Sequence, residues 1–196
     1  MPKIKICGLF REEDITFVNE AQPDYIGFVF AKSKRQVTED TAKKLRSLLK
    51  NSIIPVGVFV NEPIENIISL FQNGIITIAQ LHGGESEEYI SKLKLLSGIK
   101  IIKSVQMDNH TDTAKLSETN ADFLLLDNGA GGTGTAFDWT LIGNIKKPYF
   151  IAGGINTDNI DKAISLNPYA IDVSSGAETG GVKDFEKIKA LVLKVR

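Results

Sequence analysis

The sequence predicts a (β/α)8 barrel, and three observations carry that prediction. Eight short apolar runs recur along the 196 residues, about 25 residues apart, the length of one strand–helix unit. The runs read as apolar on both faces, as strands of a parallel sheet covered by helices do. Between them lie amphipathic stretches with helical periodicity. A doubly wound open sheet is the alternative that the same alternation allows. Eight units in a chain with little room for insertions favour closure.

The first strand is read in "KIKI" (3–6), with a helical stretch over 11–20 behind it. "YIGFVF" (25–30) is the second strand, and Thr38 is placed to cap a helix in which Ala42, Leu45 and Leu49 share a face. "IIPVGVFV" (53–60) is the third. Pro63 then opens a helix whose Ile64, Ile67, Ile68 and Phe71 fall at i, i+3, i+4 and i+7. "IITIAQL" (75–81) and a helix over 87–96 form the fourth unit, and "IKII" (99–102) with a weakly patterned helix over 110–119 the fifth. "FLLL" (123–126) is the sixth strand, and the segment after "FDW" (137–139) is the least defined of the connections. "YFIA" (149–152) precedes a helix marked by Ile160, Ala163 and Ile164. "AIDV" (170–173) precedes the last helix, capped by Asp184, with Phe185, Ile188, Val192 and Val195 as its buried stripe. No linker, low-complexity tract or close internal repeat divides the chain, so residues 1–196 are expected to form a single domain.

The composition excludes several function classes. A formal net charge of −1 and a pI near 6.2 offer no basic surface for nucleic acid. No apolar run approaches the roughly 20 residues of a membrane span, and "MPKIKICGLF" lacks the apolar core of a signal peptide. The expectation is a cytoplasmic protein, monomer or homodimer, that contacts neither nucleic acid nor membrane. One cysteine forms no internal disulfide, and with two histidines it makes a poor zinc site, so no metal is expected.

A barrel of this kind works at the C-terminal ends of its strands, and the unusual residues of this chain collect there. Strand seven ends in "AGGIN", with Gly153 and Gly154; strand eight ends in "DVSSGAE", with Ser174, Ser175 and Gly176. Backbone N–H groups at such turns attract anions, and the loops after strands seven and eight of these barrels frequently hold a phosphate. One glycine pair alone would be ordinary turn punctuation. Two such turns at the two appropriate strand ends point to a phosphorylated small-molecule substrate. The loop "DNGAGGTGTAFDW" after strand six, with glycines at 129, 131, 132 and 134, reads as a mobile lid; Trp139 reads as packing.

Cys7 ends strand one and Asp127 ends strand six. A lone cysteine is commonly a small buried apolar residue, and a lone aspartate a cap. On the rim of one closed barrel the two stand around a shared ligand, where a thiol and a carboxylic acid would make a base–acid pair. Arg35, in "AKSKRQ", is either a surface cation or the fork that holds a substrate carboxylate. His82, in "QLHG", fits a structural role and a substrate contact equally. Asp172, inside strand eight, is assigned a structural hydrogen-bonding role, because an unpaired charge there is costly.

Together "KICGL", "GFVFAKSKRQV", "VGVFVNE", "QLHG", "LLLDNGAGGTGTAFDW", "AGGIN" and "DVSSGAE" resemble the phosphoribosylanthranilate isomerase family of tryptophan biosynthesis, in family order from residue 3 to residue 178. The resemblance implies a (β/α)8 barrel without metal or organic cofactor. The implied reaction is the Amadori rearrangement of N-(5-phosphoribosyl)anthranilate to 1-(2-carboxyphenylamino)-1-deoxyribulose 5-phosphate. By position it makes Cys7 the general base, Asp127 the general acid and Arg35 the partner of the anthranilate carboxylate. Gly153, Gly154, Ser174, Ser175 and Gly176 match the phosphate-binding ends. Phe10 and Gly84 depart from the family pattern, beside the proposed site rather than in it. A dual-substrate isomerase of histidine and tryptophan biosynthesis is disfavoured by Cys7 standing where such sites carry an aspartate. Related decarboxylase or synthase barrels need several rim lysines, and only Lys103 is offered here. A non-catalytic phosphoribosyl-binding barrel would have no use for the Cys7–Asp127 pair.

Overall fold

The computed structural model describes residues 1–113, 115–128, 138–143 and 145–196. Eight parallel strands close in sequence order: β1 (Lys3–Cys7), β2 (Tyr25–Val29), β3 (Ile54–Phe59), β4 (Ile78–Leu81), β5 (Lys100–Gln106), β6 (Phe123–Asp127), β7 (Tyr149–Ile151) and β8 (Ala170–Val173). Lys3, Ile4, Lys5 and Ile6 of β1 stand opposite Ala170, Ile171, Asp172 and Val173 of β8, which shuts the barrel and rules out an open sheet.

Outside the barrel lie α1 (Glu12–Ala21), α2 (Glu39–Leu48), α3 (Ile64–Gln72), α4 (Glu87–Ser97), α5 (Ile160–Ser165) and α6 (Phe185–Val195). The expected caps are made: Thr38 Oγ1 accepts from Thr41 N at 3.2 Å, and Asp184 Oδ1 from Lys187 N at 3.1 Å. The helix expected over 110–119 is corrected by the structure, whose described residues there hold only a 3-10 turn at Lys115–Glu118. Polar side chains there give the backbone other partners. Asp108 Oδ1 accepts from His110 N at 2.8 Å, and Thr111 Oγ1 donates to Gln106 O at 3.1 Å. After β6 the described residues hold a second 3-10 turn, Trp139–Leu141, with Trp139 buried in the core as expected. The glycines read as a lid, 129 to 134, lie outside the described residues. Beyond β8 a 3-10 turn (Ser175–Ala177) leads to a small hairpin, β9 (Glu178–Thr179) and β10 (Val182–Lys183).

Strand alternation divides the core in two. One set of side chains, such as Ile4, Ile6, Ile26, Phe28 and Leu124, packs outward under the helices. The opposite set, including Tyr25, Val56, Ile78, Ile102, Leu125 and Phe150, fills the barrel itself. Two residues farther along several of these strands, the same inward face meets a cavity.

Candidate active site

That cavity, about 230 Å³, opens at the C-terminal mouth of the barrel. Cys7, Arg35, His82, Asp127, Gly153, Gly154, Ser174 and Ser175 all line it, so strands from both sides of the barrel converge on one space. Of the residues singled out from the sequence, Gly176 alone stands back. A Cβ there would meet Ile155 O at 1.9 Å, so only glycine lets the loops after β7 and β8 pack this closely. Gly153 and Gly154 have φ of 86° and 62°, a conformation that L side chains rarely adopt.

Two glycines shape the ground around Cys7. Gly8 turns the chain with φ 84°, and a Cβ on it would meet Arg35 Cδ at 2.5 Å. A Cβ on Gly27 of β2 would lie 2.6 Å from Cys7 Sγ, so the sulfur occupies space that only glycine leaves open. Ser174 Oγ donates to Cys7 O at 3.2 Å, tying β8 to the end of β1.

The charges about the thiol were mostly missed in the sequence. Lys5, fully buried, donates to Asp172 Oδ1 at 2.9 Å. The structural pairing expected for Asp172 is therefore present, although Asp172 also lines the cavity. Arg35 donates from Nε and Nη2 to the two oxygens of Glu178, at 2.7 and 2.8 Å. Lys183 donates to Glu178 Oε1 at 2.6 Å and to Ser174 O at 3.0 Å. Burial pushes the Glu178 carboxyl upward, but Arg35 and Lys183 outweigh it and hold it below the usual carboxylate range. Burial is also the largest influence on Cys7 and pushes its thiol above the usual value; the Lys5 charge pulls the other way.

Asp127 sits among different neighbours. Asn128 N donates to its Oδ1 at 2.7 Å, and His82 Nε2 lies 3.6 Å from its Oδ2. Gln80 Nε2 is 3.1 Å from His82 Nδ1. On its other side, His82 Nε2 lies 3.4 Å from Ser104 Oγ, between that hydroxyl and Asp127. His82 therefore has both a structural anchor and a place in the cavity wall. Lys103, the one rim lysine read from the sequence, is committed to Glu85 Oε2 at 2.8 Å and Gly83 O at 2.6 Å. Gly84, where the family pattern is broken, is held by its N–H to Asn61 Oδ1 at 2.9 Å.

A sequence model described as N-(5'phosphoribosyl)anthranilate (PRA) isomerase matches residues 4–194. The chain belongs to this family. The N-(5'-phosphoribosyl)anthranilate isomerase of Endomicrobium trichonymphae is 51% identical over 193 residues, 96% of this chain and 95% of the relative. The phosphoribosyl anthranilate isomerase of Thermotoga maritima superposes with a TM-score of 0.89 at 34% identity, covering 99% of this chain and 98% of that one. A phosphoribosyl anthranilate isomerase structure with TM-score 0.86, 34% identity and coverage of 99% and 98% was solved in complex with reduced 1-(o-carboxyphenylamino)-1-deoxyribulose 5-phosphate. Among the described residues, no helix is long and apolar enough to cross a membrane.

Proposed function

We propose that this chain converts N-(5-phosphoribosyl)anthranilate to 1-(2-carboxyphenylamino)-1-deoxyribulose 5-phosphate, with Asp127 as general acid and Cys7 as general base. The observation that carries the reading is that both side chains face one cavity, from β1 and β6, in a member of the isomerase family. The turns at Gly153–Gly154 and Ser174–Ser175 form the part of its wall suited to the substrate phosphate. Gly176 supports those turns from behind.

In the reaction Asp127 gives a proton to the furanose ring oxygen. The bond from that oxygen to C1 breaks, and the nitrogen lone pair forms the C1=N bond of an iminium. Cys7, as thiolate, then takes the proton from C2. The C2–H electron pair becomes the C1=C2 bond, and the iminium electrons return to nitrogen. The resulting enolamine passes to the ketone by moving its enol proton and protonating C1. Arg35 meets the anthranilate carboxylate through Nη1, its other edge being braced by Glu178. His82 stands beside Asp127, its Nε2 3.6 Å from Oδ2, where the ring can steady the carboxylate left by the first step.

A coupled assay with an indoleglycerol phosphate synthase tests the proposal. Purified protein should turn phosphoribosylanthranilate over to indoleglycerol phosphate, and a folded preparation that fails to do so would refute it.

A further inference from the structure

Lys5 is fully buried inside the barrel and takes no part in the reaction as just described. It stands two residues before Cys7 on β1, so both side chains point to the inner face. A buried ammonium needs partners for three donors. Among the described residues Lys5 Nζ makes one hydrogen bond to oxygen, with Asp172 Oδ1 at 2.9 Å. Cys7 lies next along the same inner face, and its charge when ionised would favour the charged form of Lys5.

The charge balance points the same way. Around the thiol stand three cations, Lys5 on β1, Arg35 after β2 and Lys183 on β10. Two carboxylates face them, Asp172 on β8 and Glu178 on β9. Glu178 is shared by Arg35 and Lys183, and Asp172 is held by Lys5. The cluster is one negative charge short, and a sulfur carrying that charge would sit beside the cation with an unused donor.

We propose that Lys5 is a positioning residue for the isomerisation: its buried ammonium, anchored by Asp172, is the fixed counter-charge that favours the Cys7 thiolate against burial. The inference rests on the reading of Cys7 as general base. Burial alone drives the thiol toward its neutral form, and among the surrounding charges Lys5 opposes that most strongly. Burial likewise works against the Lys5 charge, but Asp172 and Cys7 together keep it charged. Each member of the pair thus supports the ionised state of the other.

The single cysteine makes the test direct, because thiolate ultraviolet absorbance against pH, with Cys7→Ala as blank, reports this one group. An opposite charge at such range moves an ionisation by about one to three pH units. In Lys5→Met the thiol should titrate at correspondingly higher pH, and kcat at neutral pH should fall about 10- to 1000-fold with KM little changed. The rate should recover as pH rises through the displaced titration. A merely structural lysine would lower kcat equally at every pH. Lys5→Met/Asp172→Asn removes both buried charges and provides a second folded variant; its thiol should also titrate above wild type. In the wild-type protein itself, the Lys5 side-chain nitrogen resonance should shift as the thiol ionises. A thiol titration unmoved in a folded Lys5 variant, or a Lys5 resonance indifferent to the thiol, overturns the proposal. Full kcat in Cys7→Ala would instead overturn the role of Cys7 as base, while leaving the two titrations coupled.

Discussion

Cys7 and Asp127 hold equivalent places, each the last residue of its strand and each facing the cavity, yet their surroundings differ in kind. The thiol stands among ions fixed in pairs, Lys5 with Asp172 and Arg35 and Lys183 with Glu178. The carboxyl accepts from the Asn128 N–H and has the His82 ring 3.6 Å away, with no lysine or arginine paired to it among the described residues. The contrast suits opposite duties. A thiol acts as base only when ionised, and neighbouring positive charge favours that state. A carboxyl that must release a proton is poorly served by a fixed cation, which would hold it ionised. The difference between the two sides accords with the proposed base and acid and can be probed one residue at a time.

The largest effect, matched only by loss of the thiol itself, is expected on the acid side. Asp127→Asn keeps the shape and one acceptor oxygen but replaces the ionisable oxygen with an amide that does not serve as the acid. Its kcat should fall by about 10²–10⁴, with KM within a few-fold of wild type. A fall confined to KM would turn Asp127 into a binding residue and erase the contrast.

Next come changes that disturb the thiol side without touching the thiol. Arg35→Lys loses both the brace from Glu178 and the planar fork, so KM should rise by about tenfold, the equivalent of roughly 1.4 kcal/mol. An analogue lacking the aromatic carboxylate should be insensitive to the substitution. If both proteins discriminate against that analogue equally, Arg35 has a different task. Gly27→Ala brings a methyl to within 2.6 Å of Sγ and must displace the sulfur. A displacement of that order should lower kcat by up to about 10²-fold, since near-attack geometry is sensitive at the ångström scale. Unchanged kcat would mean that the thiol's position is not critical.

The smallest effect concerns stability. Glu178 is held below the usual carboxylate range in the folded state, so it binds fewer protons than in the unfolded chain. Its contribution is present above the unfolded pKa of about 4.3 and is lost as pH falls through the lower folded value. Glu178→Gln should cost about 1–3 kcal/mol at neutral pH by urea denaturation, and the gap to wild type should close in acid. A gap independent of pH would show that the lost interaction is not ionic.

Much of this site could be read before the structure, because (β/α)8 barrels place their chemistry at the strand ends and strand ends can be located by hydropathy. Cys7, Arg35, His82, Asp127 and the turns after β7 and β8 were found that way, and all line the cavity. Gly176 matched the same pattern but is not among the residues lining the cavity, and its close approach to Ile155 O leaves no mark on hydropathy. Lys5 was hidden by treating "KIKI" as an apolar run. Its strict alternation places Lys3, Lys5 and Cys7 on one face and Ile4 and Ile6 on the other, and the latter pair is what packs under the helices. Glu178 had no local signal at all, since its partner Arg35 lies 143 residues away. The connections after β5 and β6 were misjudged or undefined for a different reason. Short polar side chains there bond the backbone locally and leave 3-10 turns where other units have helices.

The central claim is that Cys7 and Asp127 act in one reaction from the two sides of the cavity. The most direct test is kcat in the coupled assay for Cys7→Ala, Asp127→Asn and the double variant, each verified as folded. Each single change should cost about 10²–10⁴ in kcat with KM nearly constant, and the double should lose less than the product of the two, because neither group completes the rearrangement alone. Wild-type kcat in folded Cys7→Ala would contradict the account and leave the thiol as no more than a small side chain at the end of its strand.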